Sequence, residues 1–336
     1  MKAVIRGIAC HLPERELGNA QLAAANPEWG LDRIAEKTGI RSRRIAAADE
    51  CASDLGVAAC RKLFASGVCR ADAIDFLLFC TQSPDHFLPT TACLMQERLG
   101  LPTHAGALDF NLGCSGYVYG LGLAKGLVET GQARNVLLVT AETYSKHIHP
   151  GDRSVRTLFG DAAAATLVNA GDGAGIGPLV YGTDGRGGGN LIVPTGGMRR
   201  PRTGGTAPAQ ADGQGHLRSA DHLFMDGPEL FSFTLKAVPA LVAAMLERAG
   251  ATLDSVDHFV FHQANQYMLE SLRRKIRIPR DKFLTGFEHC GNTVSSSIPI
   301  VLEAKAAQGL FRAGQRLMLV GFGVGYSWGA ALVEWL

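Results

Sequence analysis

Residues 72–79 (DAIDFLLF) and residues 254–261 (DSVDHFVF) carry the same pattern of polar and apolar positions, 182 positions apart. In each, an Asp-led turn leads into a short apolar run, which is typical of a buried strand, and an alanine-rich segment that predicts a helix comes before it. The correspondence continues downstream, because a Gly-Gln pair precedes an apolar strand pattern at residues 131–140 and again at residues 314–320. A repeat of this length indicates duplication of a whole domain rather than a solenoid.

Within each repeat the pattern predicts the order strand, helix, strand, helix, strand. The predicted strands 76–80 and 136–140 are apolar throughout, which fits a sheet covered by helices on both faces. We therefore expect a layered α/β fold built from two halves related by a pseudo-twofold axis, residues 1–170 and residues 171–336. Residues 182–215 are rich in Gly, Pro, Arg and Thr, and we interpret them as a long surface excursion without chemistry.

The composition is that of an ordinary soluble protein. The 336 residues are 46% hydrophobic and carry a net charge of +2, so the chain can bury a large core and shows no sign of disorder. The apolar run in residues 1–10 is too short for a secretion signal, and no later stretch has the roughly 18 uninterrupted apolar residues of a membrane helix. We expect a cytoplasmic protein without a membrane partner.

Several other classes are disfavoured by motif. The eight cysteines form no CxxC pair, which argues against a structural zinc site and a disulfide framework. No nucleotide-binding or HExxH motif occurs, and the pair His147 and His149 lacks a third ligand nearby, so we expect no metal and no bound cofactor. The basic residues at 273–280 lack the aromatic interleaving of a nucleic-acid site; a solvated helix face and a site for an acidic protein both remain open. The cysteines are Cys10, Cys51, Cys60, Cys69, Cys80, Cys93, Cys114 and Cys290.

One cysteine stands in a position suited to catalysis. Cys114 lies between Gly113 and Gly116 where a predicted strand turns into a predicted helix. A helix N-terminus favours a thiolate, exposed N–H groups there can receive an oxyanion, and glycines permit a close approach of substrate. A cysteine among small residues is more often only packed, so this position alone does not decide the matter.

Two further polar residues follow predicted elements of the second half. His262 comes directly after a buried strand, and Asn292 lies in a Gly-containing turn before a helix. Open α/β sheets place their ligands at such strand ends. Each residue alone could equally be a satisfied core histidine or a capping asparagine.

With these segments in view, the whole chain resembles the β-ketoacyl-acyl carrier protein synthase III family of condensing enzymes, which have the thiolase-like fold. The resemblance lies in five motifs in order. They are Gly113-Cys-Ser-Gly116, Phe159-Gly-Asp161, His262-Gln-Ala-Asn265, Gly291-Asn-Thr293 and Gly321-Phe-Gly-Val-Gly-Tyr-Ser-Trp-Gly329.

The resemblance implies a decarboxylative condensation of an acyl thioester with a malonyl thioester, through an acyl group carried on Cys114. Neutral His262 and the amide of Asn292 would donate hydrogen bonds to the enolate oxygen. The backbone N–H groups of Cys114 and Val324 would hold the oxyanion at the acyl carbonyl. Family members act on acyl-coenzyme A and acyl carrier protein and form homodimers, so these partners are expected too.

The same resemblance places substrate contacts and shows departures from the family pattern. Arg33 stands where coenzyme A-dependent members carry a Trp that stacks on adenine, while Lys37, Thr38 and Arg153 match positions at the coenzyme. Leu88 takes the place of a Phe that crosses the dimer interface to close the acyl pocket, which hints at a longer or differently shaped acyl group. For carrier-protein docking, Tyr267 replaces a frequent Arg, and three bases follow it on the same predicted helix: Arg273, Arg274 and Lys275.

Two alternatives were considered. An acyltransferase of the same fold could move the acyl group to an alcohol or amine with His262 as a general base, but such a reaction has no enolate for Asn292 to stabilise. A partner subunit without catalysis would have no reason to keep Cys114, His262 and Asn292 together.

Overall fold

The computed structural model describes residues 1–172, 175–202, 207–213 and 215–336. The first half contains strands β1 (Lys2–His11), β2 (Glu16–Gly18), β3 (Ser42–Arg44), β4 (Phe76–Cys80), β5 (Gly106–Phe110), β6 (Asn135–Glu142) and β7 (Ala162–Gly171). Its helices are α1 (Asn19–Ala25), α2 (Leu31–Thr38), α3 (Ala52–Ala65), α4 (Thr91–Leu99), α5 (Gly116–Glu129) and α6 (Arg153–Arg156). The second half contains β8 (Ile176–Thr183), β9 (Leu191–Ile192), β10 (Gln210–Ala211), β11 (Leu217–Arg218), β12 (Phe224–Met225), β13 (His258–Phe261), β14 (Phe283–Leu284), β15 (Arg316–Gly323) and β16 (Ser327–Glu334). Its helices are α7 (Gly227–Ala249), α8 (Gln266–Ile276) and α9 (Ser297–Ala307).

Two five-stranded sheets with the same topology form the framework. The first has the order β1-β7-β6-β4-β5 and the second the order β8-β16-β15-β13-β14. In both, the three strands at one end run parallel and the remaining two pair antiparallel. The predicted strands at 76–80 and 258–261 occupy the same place in the two sheets, which confirms the duplicated α/β fold.

Helices separate and cover the two sheets, giving five layers. Helices α5 and α9 lie between the sheets, since α5 contacts strands of both and α9 contacts β1 and β13. Helix α3 covers the outer face of the first sheet and α7 that of the second. The central helices carry Gly and Ala where they cross strands: a Cβ at Gly120 would lie 2.5 Å from the Leu138 side chain. Such small residues let a helix approach both sheets closely.

Helix α7 is long and apolar enough to span a membrane by length and composition alone. In the structure Asp226 is its N-cap residue, and the Asp226 carboxylate accepts the N–H of Glu229. One face of the helix packs into the core of the second half through Val238, Val242 and Met245. This packing is that of a core helix against a sheet.

The predicted excursion at residues 182–215 is only partly a surface feature. Its residues 203–206 and 214 lie outside the described residues. Met198 is highly exposed, as predicted, whereas Leu191 in β9 is buried and packs with Cys114 in one cluster of apolar side chains. The expectation that the excursion contributes nothing to a site was therefore wrong for Leu191. The short strand β9 pairs with β12, and this pairing places Leu191 in the interior. No local pattern in the sequence indicates this position.

Candidate active site

A cavity of about 550 Å³ lies where the two halves meet, and Cys114, His262 and Asn292 all line it. The cysteine comes from the first half and the other two residues from the second. The structure thus brings together three residues that lie up to 178 positions apart in the sequence.

Cys114 lies just before the N-cap residue of α5, Ser115, as predicted. The chain after β15 closes over it: a Cβ at Gly323 would approach the Cys114 sulfur to 2.8 Å. Gly325 follows with a φ of +133°, a conformation that favours glycine. These two glycines allow the backbone to turn directly against the nucleophile.

Burial raises the pKa of the Cys114 thiol to about 12, although backbone hydrogen bonds with Val324 and with Cys114 itself act in the opposite direction. The N–H groups predicted to hold an oxyanion therefore converge on this sulfur. Desolvation of the buried thiol outweighs the stabilising effect of these donors on the thiolate.

His262 follows β13 directly and is 2% exposed. Burial lowers the pKa of its imidazole to about 3, so the ring is neutral at physiological pH. Its Nδ1 lies 2.8 Å from the hydroxyl of Ser297, and that hydroxyl also accepts the N–H of Gln263 at 3.3 Å. The Ser297 hydroxyl can donate to Nδ1 while it accepts from Gln263, and in that arrangement the ring proton lies on Nε2.

Residues of the first half form hydrogen bonds with both the backbone N–H and the backbone carbonyl of Asn292. Its N–H donates to the carbonyl of Leu158 at 2.9 Å, and its carbonyl accepts from Gly160 at 3.0 Å. The side-chain oxygen Oδ1 accepts the N–H of Val294 at 3.0 Å. With the oxygen occupied in this way, the amide NH₂ group of Asn292 is left as the donor at the cavity.

Family comparison agrees with this geometry. A model of 3-oxoacyl-[acyl-carrier-protein (ACP)] synthase III matches residues 108–185, and the model of that family's C-terminal part matches residues 246–335. The beta-ketoacyl-[acyl-carrier-protein] synthase III of Caldanaerobacter subterraneus subsp. tengcongensis is 35% identical over 337 residues, covering 99% of this chain and 98% of the relative. The chain belongs to the 3-oxoacyl-[acyl-carrier-protein] synthase III family.

Solved structures of the family share the whole fold. A crystal structure of a 3-oxoacyl-(acyl-carrier-protein) synthase III covers 100% of both chains with a TM-score of 0.98 and 56% identity. The enzyme from Burkholderia xenovorans LB400 aligns with a TM-score of 0.90 at 39% identity, over 100% of this chain and 94% of its own. The thiolase-like fold that the resemblance implied is thereby shown.

The mouth of the synthase III cavity contains three of the predicted substrate contacts. Lys37, Thr38 and Arg153 line it. Arg153 opens α6, whose N-cap carboxylate, Asp152, is fully buried and accepts the N–H of Ser154 at 2.9 Å. Asp152 also pairs with Arg218 of β11 at 3.1 Å, so β11 anchors the helix that carries Arg153.

Two other predicted contacts lie elsewhere. Arg33 is exposed on α2 and is not among the described lining residues, and Trp29 is buried against Leu22. Leu88 is 81% exposed on the surface of the single chain. It does not line the cavity of its own chain, so its predicted role depends on a second copy.

Two of the three basic residues predicted to dock the carrier protein form ion pairs within their own helix. Arg273 and Arg274 both pair with Glu270, each at 2.7 Å, while Lys275 lies exposed on the same helix. Tyr267, next to them, lines the cavity mouth, stacks on Phe231 and lies under the Lys37 ammonium group.

A buried carboxyl group behind the cavity was missed by the sequence reasoning. Glu142 is fully buried at the end of β6, and it accepts hydrogen bonds from the N–H of Gln82 and from the hydroxyls of Ser83 and Ser295. Burial raises its pKa to about 8. The hydrogen bond that Glu142 accepts from the Ser295 hydroxyl joins the two halves of the chain. Ser295 follows Asn292 by three residues. A carboxyl group at the end of a mostly apolar strand was the signal that could have drawn attention to it.

Proposed function

We propose that this protein condenses an acyl thioester with malonyl-acyl carrier protein, releasing carbon dioxide and forming a β-ketoacyl thioester. The observation that carries the proposal is the convergence of two neutral hydrogen-bond donors, His262 and Asn292, on the cavity that contains Cys114. The printed names of the relatives, which are beta-ketoacyl-[acyl-carrier-protein] synthases, agree with it.

In the first half-reaction the sulfur of Cys114 attacks the thioester carbonyl of the donor. The bond from carbonyl carbon to the donor's sulfur breaks, and the proton of the Cys114 thiol leaves with the departing thiol. The N–H groups of Cys114 and Val324 stabilise the carbonyl oxygen during attack, consistent with their hydrogen bonds to the sulfur.

In the second half-reaction the malonyl thioester loses carbon dioxide, and the electron pair of the broken C–C bond forms an enolate. His262 and Asn292 donate to the enolate oxygen, which lowers the barrier to decarboxylation. The enolate carbon then attacks the acyl-Cys114 carbonyl and expels the sulfur as a thiolate, which takes up a proton. Decarboxylation supplies the carbanion, so neither a strong base nor a bound cofactor or metal is required.

The low pKa of His262 disfavours the alternative reaction, acyl transfer to an alcohol or amine. A general base needs a pKa near the working pH, whereas burial lowers that of His262 to about 3. A neutral imidazole is suited to donating a hydrogen bond to an enolate. The neutral imidazole of His262 therefore favours condensation over acyl transfer to an alcohol or amine.

The donor is a thioester of coenzyme A or of acyl carrier protein, and the mouth fits the phosphopantetheine arm that both share. Lys37 and Arg153 supply positive charge there for a phosphate. Lys275, with Arg273 and Arg274, supplies a basic surface beside the mouth for an acidic carrier protein. The enzyme would act in the cytoplasm, where such carriers and thioesters are found.

A homodimer is supported by one edge of the first sheet. Strand β5 is the outermost strand, and Leu108 at its centre is 45% exposed, while Phe87 and Leu88 nearby in the chain are 77% and 81% exposed. An unpaired edge with exposed apolar side chains fits a second copy that continues the sheet. Leu88 would then reach the partner's acyl pocket.

The test separates the two half-reactions. Intact mass after incubation with acyl thioesters should show one acyl group on the wild type and on Asn292→Ala, and none on Cys114→Ala. Decarboxylation of malonyl-acyl carrier protein should fall about 10²–10³-fold in His262→Ala and in Asn292→Ala, the range for loss of one oxyanion donor.

Matched controls are available in the same chain. Cys60→Ala removes a buried thiol of the first half, and His258→Ala removes a histidine at the start of β13, the strand before His262, that is not among the described lining residues of the cavity. Both should retain condensation. An acyl adduct on Cys114→Ala, or normal decarboxylation in both donor variants, would refute the proposed function.

A further inference from the structure

A buried guanidinium group lies behind one wall of the cavity, and the reaction described above does not use it. Arg43 of β3 is 1% exposed and is among the largest fully buried side chains of the described residues. Burial lowers its pKa to about 10, so the group still carries its positive charge at neutral pH. Within the part of the chain that the structure describes, no carboxylate forms an ion pair with it. Because an unpaired buried charge is costly, this one has to be held by neutral hydrogen-bond acceptors.

Three hydrogen bonds join Arg43 to segments that are distant from it in the sequence. Nη1 donates to the side-chain oxygen of Asn19 at 2.7 Å and to the carbonyl of Leu17 at 3.2 Å. Nη2 donates to the carbonyl of Thr157 in a fully buried bond. Thr157 directly follows α6 and lines the cavity. The planar fork of the guanidinium group thus connects the junction of β2 and α1 with the cavity wall.

The residues that follow Thr157 support the backbone of Asn292. The carbonyl of Leu158 accepts the N–H of Asn292 at 2.9 Å, and the N–H of Gly160 donates to the Asn292 carbonyl at 3.0 Å. The two segments therefore pair as a short parallel bridge. Asn292 takes its position from this segment, and the segment begins at the carbonyl that the buried guanidinium group holds.

The stem of Arg43 packs against both sides of this bridge. A Cβ placed at Gly160 would lie 3.1 Å from the Cβ of Arg43, and one placed at Gly291 would lie 3.2 Å from it. Gly291, which precedes Asn292, has a φ of +71°, a conformation that favours glycine. Because protein interiors are closely packed, a displacement of Arg43 would be transmitted to the main chain on both sides of Asn292.

We propose that Arg43 is a positioning residue for decarboxylation. It holds the carbonyl of Thr157 and, through the bridge that follows, keeps the amide of Asn292 where it donates to the enolate oxygen. The inference rests on the role of Asn292 in the proposed function. Cys114 is held by separate contacts with Val324 and the end of β15, so acylation does not depend on Arg43.

The experiment compares the two half-reactions in Arg43→Met, which keeps an unbranched stem but has no donor. For decarboxylation of malonyl-acyl carrier protein, kcat should fall by about 10²-fold, the effect of displacing a reacting group by about 1 Å. KM should stay unchanged, because the lost interaction is one made only in the transition state. Acylation of Cys114 by an acyl thioester, followed by intact mass, should proceed at the wild-type rate. Normal acylation would also show that the variant is folded.

A double variant tests whether the effect passes through Asn292. In Asn292→Ala the donor amide is already missing, so adding Arg43→Met should cause little further loss of decarboxylation. Non-additivity of this kind is expected when two residues act through the same contact. If the two losses add in full, Arg43 does not act through Asn292 and the proposal is overturned.

The neighbouring arginine of β3 provides the matched control. Arg44 donates to the carbonyls of Pro13 and Glu14, which are not among the described lining residues, so Arg44→Met should keep both half-reactions at the wild-type rate. Arg43→Lys retains the charge and the stem but loses the fork, and should show the same selective loss if Arg43→Met does not fold. If neither variant folds, Asn19→Ala removes one acceptor of the guanidinium group and should lower decarboxylation alone, by a smaller factor.

The outcomes distinguish this proposal from the one on which it rests. An equal fall in acylation and decarboxylation in the Arg43 variants would give Arg43 a role in the fold only and would overturn the proposal. Decarboxylation at the wild-type rate in those variants would overturn it as well. Failure of the proposed function would be visible in the wild type itself, as the absence of an acyl adduct or of decarboxylation.

Discussion

The orientation of the His262 and Asn292 side chains depends on the groups that contact the atoms facing away from the cavity. Ser297 contacts Nδ1 of the imidazole at 2.8 Å, and the N–H of Val294 occupies the amide oxygen of Asn292 at 3.0 Å. The Val294 N–H leaves the NH₂ group of Asn292 as the donor for the substrate, and a Ser297 hydroxyl that donates to Nδ1 leaves the Nε2–H of His262 for the same role. The orientation of both donors is thus set before substrate arrives, which is what electrostatic stabilisation of an enolate requires.

Glu142 makes the stability of the protein depend on pH. Burial raises its pKa from 4.5 to about 8, so the folded state binds the proton more tightly than the unfolded state. Its contribution is fully present below the unfolded pKa and is lost as the pH rises through the folded pKa. In Glu142→Gln, which keeps a neutral side chain of the same shape, we expect a smaller loss of stability between these pH values than in wild type.

Urea unfolding at about pH 5 and about pH 8 measures this difference, at roughly 1.4 kcal/mol for each unit of pKa shift. Asp72→Asn, on an exposed carboxylate that pairs with Arg70, is the control and should keep the wild-type dependence. Identical pH dependence in wild type and Glu142→Gln would show that Glu142 is ionised in the folded protein.

Elements of the second half form the site by approaching the start of α5. The end of β15 passes so close to Cys114 that only glycine fits at position 323. We expect Gly323→Ala to slow acylation of Cys114 by at least about tenfold and to destabilise the fold by roughly 1–3 kcal/mol, because the new methyl group overlaps the sulfur.

Gly126→Ala provides the comparison for this change. Gly126 lies in α5, the central helix that begins just after Cys114, and a Cβ there would meet nothing within 4 Å. It should leave acylation unchanged and stabilise the helix by about 0.5–1 kcal/mol. Acylation at the wild-type rate in Gly323→Ala would contradict the contact between β15 and the nucleophile.

At the scale of the whole molecule, β5 is an edge strand of the first sheet. Leu108 of β5 is 45% exposed, and we expect Leu108→Lys to convert the proposed dimer into monomers by placing a charge at this edge. Sedimentation velocity at several concentrations measures the change. Leu310→Lys, on an exposed leucine after α9, should remain dimeric. A wild type that is monomeric at all concentrations would remove the proposed role of Leu88 as well.

The sequence by itself determined the fold class and the three candidate catalytic residues. The duplicated strand pattern survives because each copy must bury the same faces of a sheet, and Cys114, His262 and Asn292 stand in short motifs at strand and helix ends. The boundary between the halves, at residues 170 and 171, remains a prediction.

Only the tertiary structure decided which groups surround these residues. The raised pKa of Cys114, the buried Glu142 and the inward turn of Leu191 each depend on packing between segments distant in the chain. The same holds for Arg43 behind the cavity wall, because its hydrogen bond to Thr157 joins positions 114 residues apart. Local patterns report which residues face a core, whereas desolvation and contact between distant segments arise only when the two halves close on each other.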